Sequence, residues 1–402
     1  VSENGFTSQG LAKLADVLSG YVERQEVSGL VALVSRSGDT HVETMGTMSL
    51  NGPPVRRDSI YRIASMTKPV TAVATMTLIE EGAFGLDDPV DRLLPELADR
   101  RVLVRSDGPV HDTVPAERPL TIRHLLTFTM GMGIGMAEPG TVPLFDAMAE
   151  LNLGQGPPNP QRTLAPNEWM AHLGSLPLMY QPGERWMYNT GSDVLGVLIT
   201  RAAGQDLSTF LHQRIFEPLG MVDTGFFVTE SAWPRLVTAY APDPTTGQLH
   251  VYDEGPGGQW TQPPPFPSGA GGLVSTVDDF ARFAEMLLGH GTYRGTQIIS
   301  SASVAAMTSD QLTTDQKSRS GLYDGQFDHK GWGFGVEVVT DRFDPANGIG
   351  KYAWNGGLGS SWSNDQAEGL ITILLTQVAW TSPVPPPIVG EFDGLAYEAM
   401  DR

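Results

Sequence analysis

The order of elements in this chain predicts an α/β (α+β) fold, with one antiparallel sheet flanked by helices and a mostly helical domain inserted into it. Three observations lead there. An amphipathic helix and two β-rich runs open the chain. Four β-rich runs and a helix close it. Between them lies a long region of short helices and Pro/Gly-rich loops. Residues 1–85 and 265–402 are therefore assigned to a discontinuous sheet domain, and 86–264 to a helical insertion. No internal repeat is visible.

Leu11, Leu14, Leu18 and Tyr21 recur at helical spacing and define the opening helix. Gly29 to Ser37 and His41 to Met48 are strand-like runs joined by Gly38-Asp39, which makes a hairpin. Ser59 to Ile63 is a short extended lead-in to a buried helix. That helix is read from the apolar run Val70 to Glu81, and Gly82 stops it. In the insertion, Thr121 to Thr129, Ser192 to Ala203 and Leu207 to Ile215 read as helices, the last ended by Pro218. Gly255 to Gly272 is a loop by composition. Thr276 with Asp279 signals the cap of a helix carrying Phe280, Phe283, Ala284 and Leu287. Gly331 to Thr340, Lys351 to Trp354, Ser360 to Ser363 and Leu370 to Gln377 are the late strands, and Val389 to Met400 is the closing helix.

The most informative stretch is Ile63-Ala64-Ser65-Met66-Thr67-Lys68-Pro69. Residues i and i+3 of a helix face the same way, with Cβ atoms about 5–6 Å apart. Ser65 Oγ and Lys68 Nζ are thus within mutual reach. Of the five lysines, only Lys68 has a serine three residues before it. A serine hydroxyl needs a neighbour to take its proton, and a lysine desolvated beside an apolar helix has its pKa lowered enough to serve. The bland alternative, a capping serine beside a solvated lysine, fits poorly with the apolar run that follows.

Composition narrows the function. The chain has 402 residues, an ordinary apolar fraction and no cysteine, which excludes disulfides, thiol catalysis and cysteine metal sites. A net charge of −20 argues against a nucleic-acid or anionic-membrane partner. None of the eight histidines pairs with another at ligand spacing, so no metal is expected. No run reaches transmembrane length, and Val1 to Gly5 lacks a leader pattern, so either the protein stays inside, a cytoplasmic location being the favoured reading, or a leader has already been removed. Oligomeric state is not legible. Gly-x-Ser-x-Gly is absent, which removes the α/β-hydrolase reading.

Two later stretches can complete a Ser–Lys site. In Gln181 to Gly191, Tyr188 stands just before a helix, where a phenol near an ammonium ionises more readily and can shuttle a proton; a tyrosine bridging core and surface is the plainer alternative. In Tyr352 to Trp362, paired glycines follow a short strand, and their N–H groups can join that of Ser65 in an oxyanion hole; a glycine-rich hairpin is the alternative. Trp186 and Trp362 flank these stretches as candidate pocket walls. Met130, Met132 and Met136 are core fillers by default and a flexible acyl wall at most.

Three such elements in this order resemble the serine β-lactamase and penicillin-binding-protein superfamily, and more narrowly its class C branch and the β-lactamase-like (family VIII) carboxylesterases. Ser65-Met66-Thr67-Lys68 matches Ser-x-x-Lys, Tyr188-Asn189-Thr190 the tyrosine motif, and Trp354-Asn355-Gly356 the position of Lys-Thr-Gly. The likeness spans roughly residues 10 to 380. It implies a β-lactamase-like fold, with Ser65 as acylated nucleophile and Lys68 and Tyr188 sharing base and acid duty. It also implies an oxyanion hole at the N–H groups of Ser65 and Gly357, substrate contacts from Trp354, Asn355, Gly356 and Asn189, and no cofactor. Two departures matter. Trp354 replaces a lysine that would bind a substrate carboxylate, a loss of ~1.5–3 kcal/mol, or roughly ten- to a hundredfold, for an anionic substrate. Thr190 replaces the asparagine that holds a substrate amide, with Asn189 a one-residue shift away. Both favour a small, fairly apolar ester over a β-lactam or peptide. The expectation is a serine carboxylesterase. An amidase or peptidase, an acyltransferase or a weak β-lactamase is the alternative on the same scaffold, and a non-catalytic acyl-binding sensor is the reading from another class.

Overall fold

A computed structural model describes residues 5–135, 140–154, 156–344 and 346–401. Val1–Asn4 and Met136 lie outside them. The large sheet has seven strands: β1 Gly29–Arg36, β2 Asp39–Gly46, β3 Lys330–Trp332, β4 Glu337–Val339, β5 Tyr352–Gly356, β6 Ser360–Asp365 and β7 Leu370–Leu375. Their order is β3-β4-β5-β6-β7-β1-β2, and every neighbouring pair is antiparallel. The two ends of the chain meet where β1 pairs with β7, Val31 opposite Leu375.

β1 reads as an unbroken apolar run because helices cover both faces of the sheet. Leu30, Ala32 and Val34 pack with Leu14 and Leu18 of the opening helix, Ser8–Glu23, and with Ile388 and Phe392 of the closing helix, Pro387–Ala399. Val31 and Leu33 point the other way, into the largest apolar cluster, with Phe280 and Phe283 of helix Val277–Leu288. That cluster continues without a break into Leu125, Leu173 and Leu198 of the inserted helices. The two terminal helices approach so closely that a Cβ on Gly10 would lie 2.4 Å from Ala399 Cα.

Helix Thr67–Glu80 is buried along nearly its whole length, as expected of a helix apolar all round. Its buried hydroxyls are paired. Thr75 Oγ1 donates to Thr71 O (2.9 Å) and Thr77 Oγ1 to Ala74 O (2.8 Å) within the helix, while Thr71 Oγ1 donates to Gly269 O (2.7 Å) and Thr67 Oγ1 accepts from Leu273 N–H (3.1 Å). Pro69 sits in the first turn, where its missing N–H has no helical partner to lose.

Three expectations need correction. Gly331 to Thr340 is a hairpin rather than one strand. Gly335 (φ +76°) makes the turn, and a Cβ there would meet Lys68 O at 2.9 Å. Pro218 does not end its helix. The helix Leu207–Leu211 widens through a π-turn, His212–Phe216, and runs on through Glu217–Leu219 to Gly220. Helix Ile122–Leu126 is shorter than read, because Thr121 caps it and Phe128 takes φ +58°. Among the described residues no helix is long and apolar enough to cross a membrane, and no group of three or more His, Asp or Glu can hold a metal ion.

Candidate active site

Ser65 lies in a single 3-10 turn, Ala64–Met66, that runs straight into helix Thr67–Glu80. Ala64 takes φ +43°, a conformation that L side chains rarely adopt. The turn is held through Ile63. Its carbonyl accepts from Met66 N–H (3.0 Å) and from the Ser360 hydroxyl (3.1 Å). A Cβ on Gly356 would meet that same carbonyl at 2.2 Å. The edge of β5 presses against the serine turn because residue 356 has no side chain. Gly356 therefore shapes the site from behind and does not line the cavity.

Lys68 is fully buried. Its Nζ lies 2.8 Å from Ser65 Oγ, donates to Ala270 O (2.6 Å) and stands 4.4 Å from the centre of the Tyr188 ring. Burial pulls its pKa down to about 7, and Asp193 opposes the shift. A neutral amine at this distance can accept the serine proton.

Tyr188 hydrogen-bonds Ser65 through its hydroxyl, which also accepts the indole N–H of Trp354 (2.9 Å). Its pKa is raised, because burial outweighs the two hydrogen bonds that favour the phenolate. This reverses the expected easier ionisation of the phenol: Lys68 stands over the ring face, not beside the hydroxyl. Residues 188–190 form a γ-turn of the rarer hand. Asn189 has φ +83°, ψ −63°, and Thr190 N–H donates to Tyr188 O (3.2 Å). The turn starts helix Thr190–Ala203 and leaves Asn189 facing the cavity.

Asp193, in the first turn of that helix, was not singled out by sequence. It accepts from the Ser268 hydroxyl (2.6 Å) and Ala270 N–H (3.1 Å). The Ser268–Gly271 loop is thus clamped between Asp193 and Lys68, which binds the carbonyl of the same Ala270. Burial raises the Asp193 pKa against these bonds and the charge of Lys68. Its position five residues after Tyr188 is the one signal a sequence reader could have used.

These groups open onto a cavity of about 910 Å³. Ser65, Tyr188, Asn189, Asp193, Trp354, Asn355 and Gly357 line one side; Ile134, Phe145, Leu153, Trp169 and Phe266 form an apolar roof. Gly357 N–H has no hydrogen-bond partner among the described residues, while its carbonyl accepts from Trp380 N–H (2.9 Å). Two candidate wall residues lie elsewhere. Trp362 faces the helix side of the sheet, packed on Phe280, Phe283 and Tyr352, because strand alternation turns it inward. Trp186 is buried behind Tyr188, stacked on it at 5.7 Å and surrounded by Phe128, Phe327 and Trp332. Met130 and Met132 are core residues.

The chain belongs to the Beta-lactamase family, whose pattern matches residues 14–383. It is similar to Protein Rv1367c of Mycobacterium tuberculosis, 39% identical over 359 residues that cover 87% of this chain and 86% of that protein. It is also similar to Esterase EstB of Burkholderia gladioli, 31% identical over 405 aligned positions covering 96% and 94%. Among solved structures it resembles EstCE1, described as a hydrolase with promiscuous acyltransferase activity, with a TM-score of 0.79 at 25% identity over 97% of this chain and 99% of that one.

Proposed function

We propose that this chain is a serine carboxylesterase working through a covalent acyl-Ser65 intermediate, with a small-molecule ester as its partner. One observation carries the reading: a fully buried lysine with a pKa near 7 stands 2.8 Å from the Ser65 hydroxyl, at the edge of a cavity. Neutral Lys68 takes the proton of Ser65 as Oγ attacks the ester carbonyl. The oxyanion is received by the N–H groups of Ser65 and Gly357. Tyr188, still protonated at neutral pH, relays the proton to the departing alkoxide, and Trp354 N–H fixes its hydroxyl. Water then reverses these steps on the acyl-enzyme. Kinship with an esterase supports the reaction class.

Trp354 supports the choice of ester. It supplies an indole N–H to Tyr188 where a cation would serve a carboxylate. Lys330, which lines the cavity, is paired with Glu337. A neutral ester is the better-matched substrate. The test is hydrolysis of p-nitrophenyl butyrate beside nitrocefin, for the wild type and Ser65→Ala. Ester turnover that falls by about three orders of magnitude or more in the variant, with little nitrocefin cleavage, supports the reading. Turnover that survives in Ser65→Ala removes it.

A further inference from the structure

Tyr188 is backed by a box of aromatic rings made by Phe128, Trp186, Phe327, Trp332 and Trp354. Trp332, the last residue of β3, touches three of them and is fully buried. Centre to centre, its ring stands 5.0 Å from Phe128, 5.3 Å from Trp186 and 4.6 Å from Trp354, and it meets Trp354 edge to face at 86°. Trp332 lies outside the lining of the Ser65 cavity, so it is placed to act on the site only through a neighbour.

Core filling does not account for this tryptophan. Its indole N–H is buried with no hydrogen-bond partner among the described residues, and a buried donor is ordinarily paired. Leucine or phenylalanine would fill space without stranding a donor. The backbone of Trp332, by contrast, is pinned. Its N–H donates to Asp310 Oδ1 (3.2 Å), its carbonyl accepts from Gln311 N–H (2.8 Å), and Lys317 holds the other oxygen of the same carboxylate (2.7 Å). Glycines on either side permit this approach: a Cβ on Gly331 would overlap the Asp310 carboxyl, and one on Gly333 the carbonyl of Met307. A ring without a polar tether is thus carried on a fixed backbone, and the chain and the surrounding rings set its angle.

Trp354 needs such a neighbour. Among the described residues it has two ring contacts, Tyr188 at 5.4 Å and Trp332. Its indole N–H meets the Tyr188 hydroxyl at 2.9 Å, and the same hydroxyl bonds Ser65. A hydrogen bond weakens steeply as its angle closes, so a modest rotation of the indole would release the phenol. We propose that Trp332 is a positioning residue: its ring fixes the angle of Trp354, and through that indole the Tyr188 hydroxyl that serves Ser65. The inference rests on the acyl-enzyme reading above, in which Tyr188 passes the proton. Trp332 itself takes part in no bond that forms or breaks.

The experiment measures kcat and KM for p-nitrophenyl butyrate in Trp332→Leu and Trp332→Phe, each alone and combined with Trp354→Phe, with folding followed by circular dichroism. A residue that acts through Trp354 costs no more than the N–H of Trp354 contributes. Trp332→Leu should therefore lower kcat by about five- to tenfold, and Trp332→Phe, which keeps a shorter ring, by about threefold, with KM held within about twofold. With Trp354→Phe in place there is no N–H left to aim, so either substitution should then change kcat by less than about 1.5-fold. A merely structural role loses as much in both backgrounds; that result overturns the proposal, as does a loss that falls on KM. If Trp332→Leu does not fold, the same comparison with Trp332→Phe decides. Failure of the ester reading shows separately, as p-nitrophenol release that survives Ser65→Ala, and removes the proposal with it.

Discussion

Lys68 faces Ser65, the Ala270 carbonyl, the Tyr188 ring and, at longer range, Asp193. Of these only Asp193 can bear charge near neutrality. Below pH 7 Lys68 is protonated and cannot take the serine proton, so kcat/KM for a neutral ester should rise with pH through about 7. Asp193→Asn removes the charge that holds the lysine pKa up, so the acid limb should move to lower pH; a pH–rate profile reads this directly. Tyr188→Phe should cost about two to four orders of magnitude in kcat. Trp354→Phe, which keeps an aromatic ring and loses only the N–H to the phenol, should cost about tenfold or less. A Trp354→Phe enzyme as damaged as Tyr188→Phe would show that the indole acts on substrate directly. Ser65 and Lys68 were legible because their pairing is local, one helical turn. Asp193 was not, because its partners arrive on the loop at Ser268, far along the chain. Trp362 was misplaced for a related reason: which face of a strand a residue takes depends on register, which neighbouring residues alone do not give. Trp186 lies outside any strand, and its ring partners Phe327 and Trp332 arrive from far along the chain.

Among the elements, the lead-in strand Tyr61–Arg62 holds the nucleophile turn in place. Arg62 is fully buried and forms a two-nitrogen contact with Asp253, while its NH1 reaches Val237 O (2.6 Å) and Gln377 Oε1 (3.0 Å). It ties three distant segments to the residue just before Ile63. Arg62→Met strands the carboxylate of Asp253 and should cost about 3–5 kcal/mol, read as a lowered urea midpoint. Adding Asp253→Leu should recover much of that loss. Strands and helices with clean periodicity, such as the opening helix and β1, were readable from the residues. The hairpin at Gly335 was not, because one glycine inside a β-rich run does not announce a turn. It is needed there because the turn packs against the backbone of Lys68.

For the molecule as a whole, the net charge of −20 acts on every approaching ligand. Hydrolysis of an ester that carries a carboxylate should quicken with added salt, as screening weakens the repulsion, while a neutral ester of similar size should show little change. Measuring kcat/KM at low and at physiological ionic strength separates the two. Cavity size makes a second demand. A space of about 910 Å³ is at the upper end of small-molecule sites, so KM should fall as the acyl group grows from acetyl towards larger apolar groups. The expected sheet built from both chain ends is what the strand order shows. That architecture was visible because the terminal elements are regular. The roof of the cavity was not, since Phe145, Leu153, Trp169 and Phe266 converge from loops and short helices without shared periodicity.

The pairing of β1 with β7 bears on how the chain is made. Val31 leaves the ribosome long before its partner Leu375 does. Until then β1 has one neighbour of two, and the apolar helix behind Ser65 has little of the sheet to pack against. The nascent chain therefore carries exposed apolar surface until β7 emerges, and its sheet closes only then. Truncation a few residues short of β7 should yield an aggregating chain rather than a smaller enzyme, and slow refolding with chaperone dependence should accompany the full-length protein.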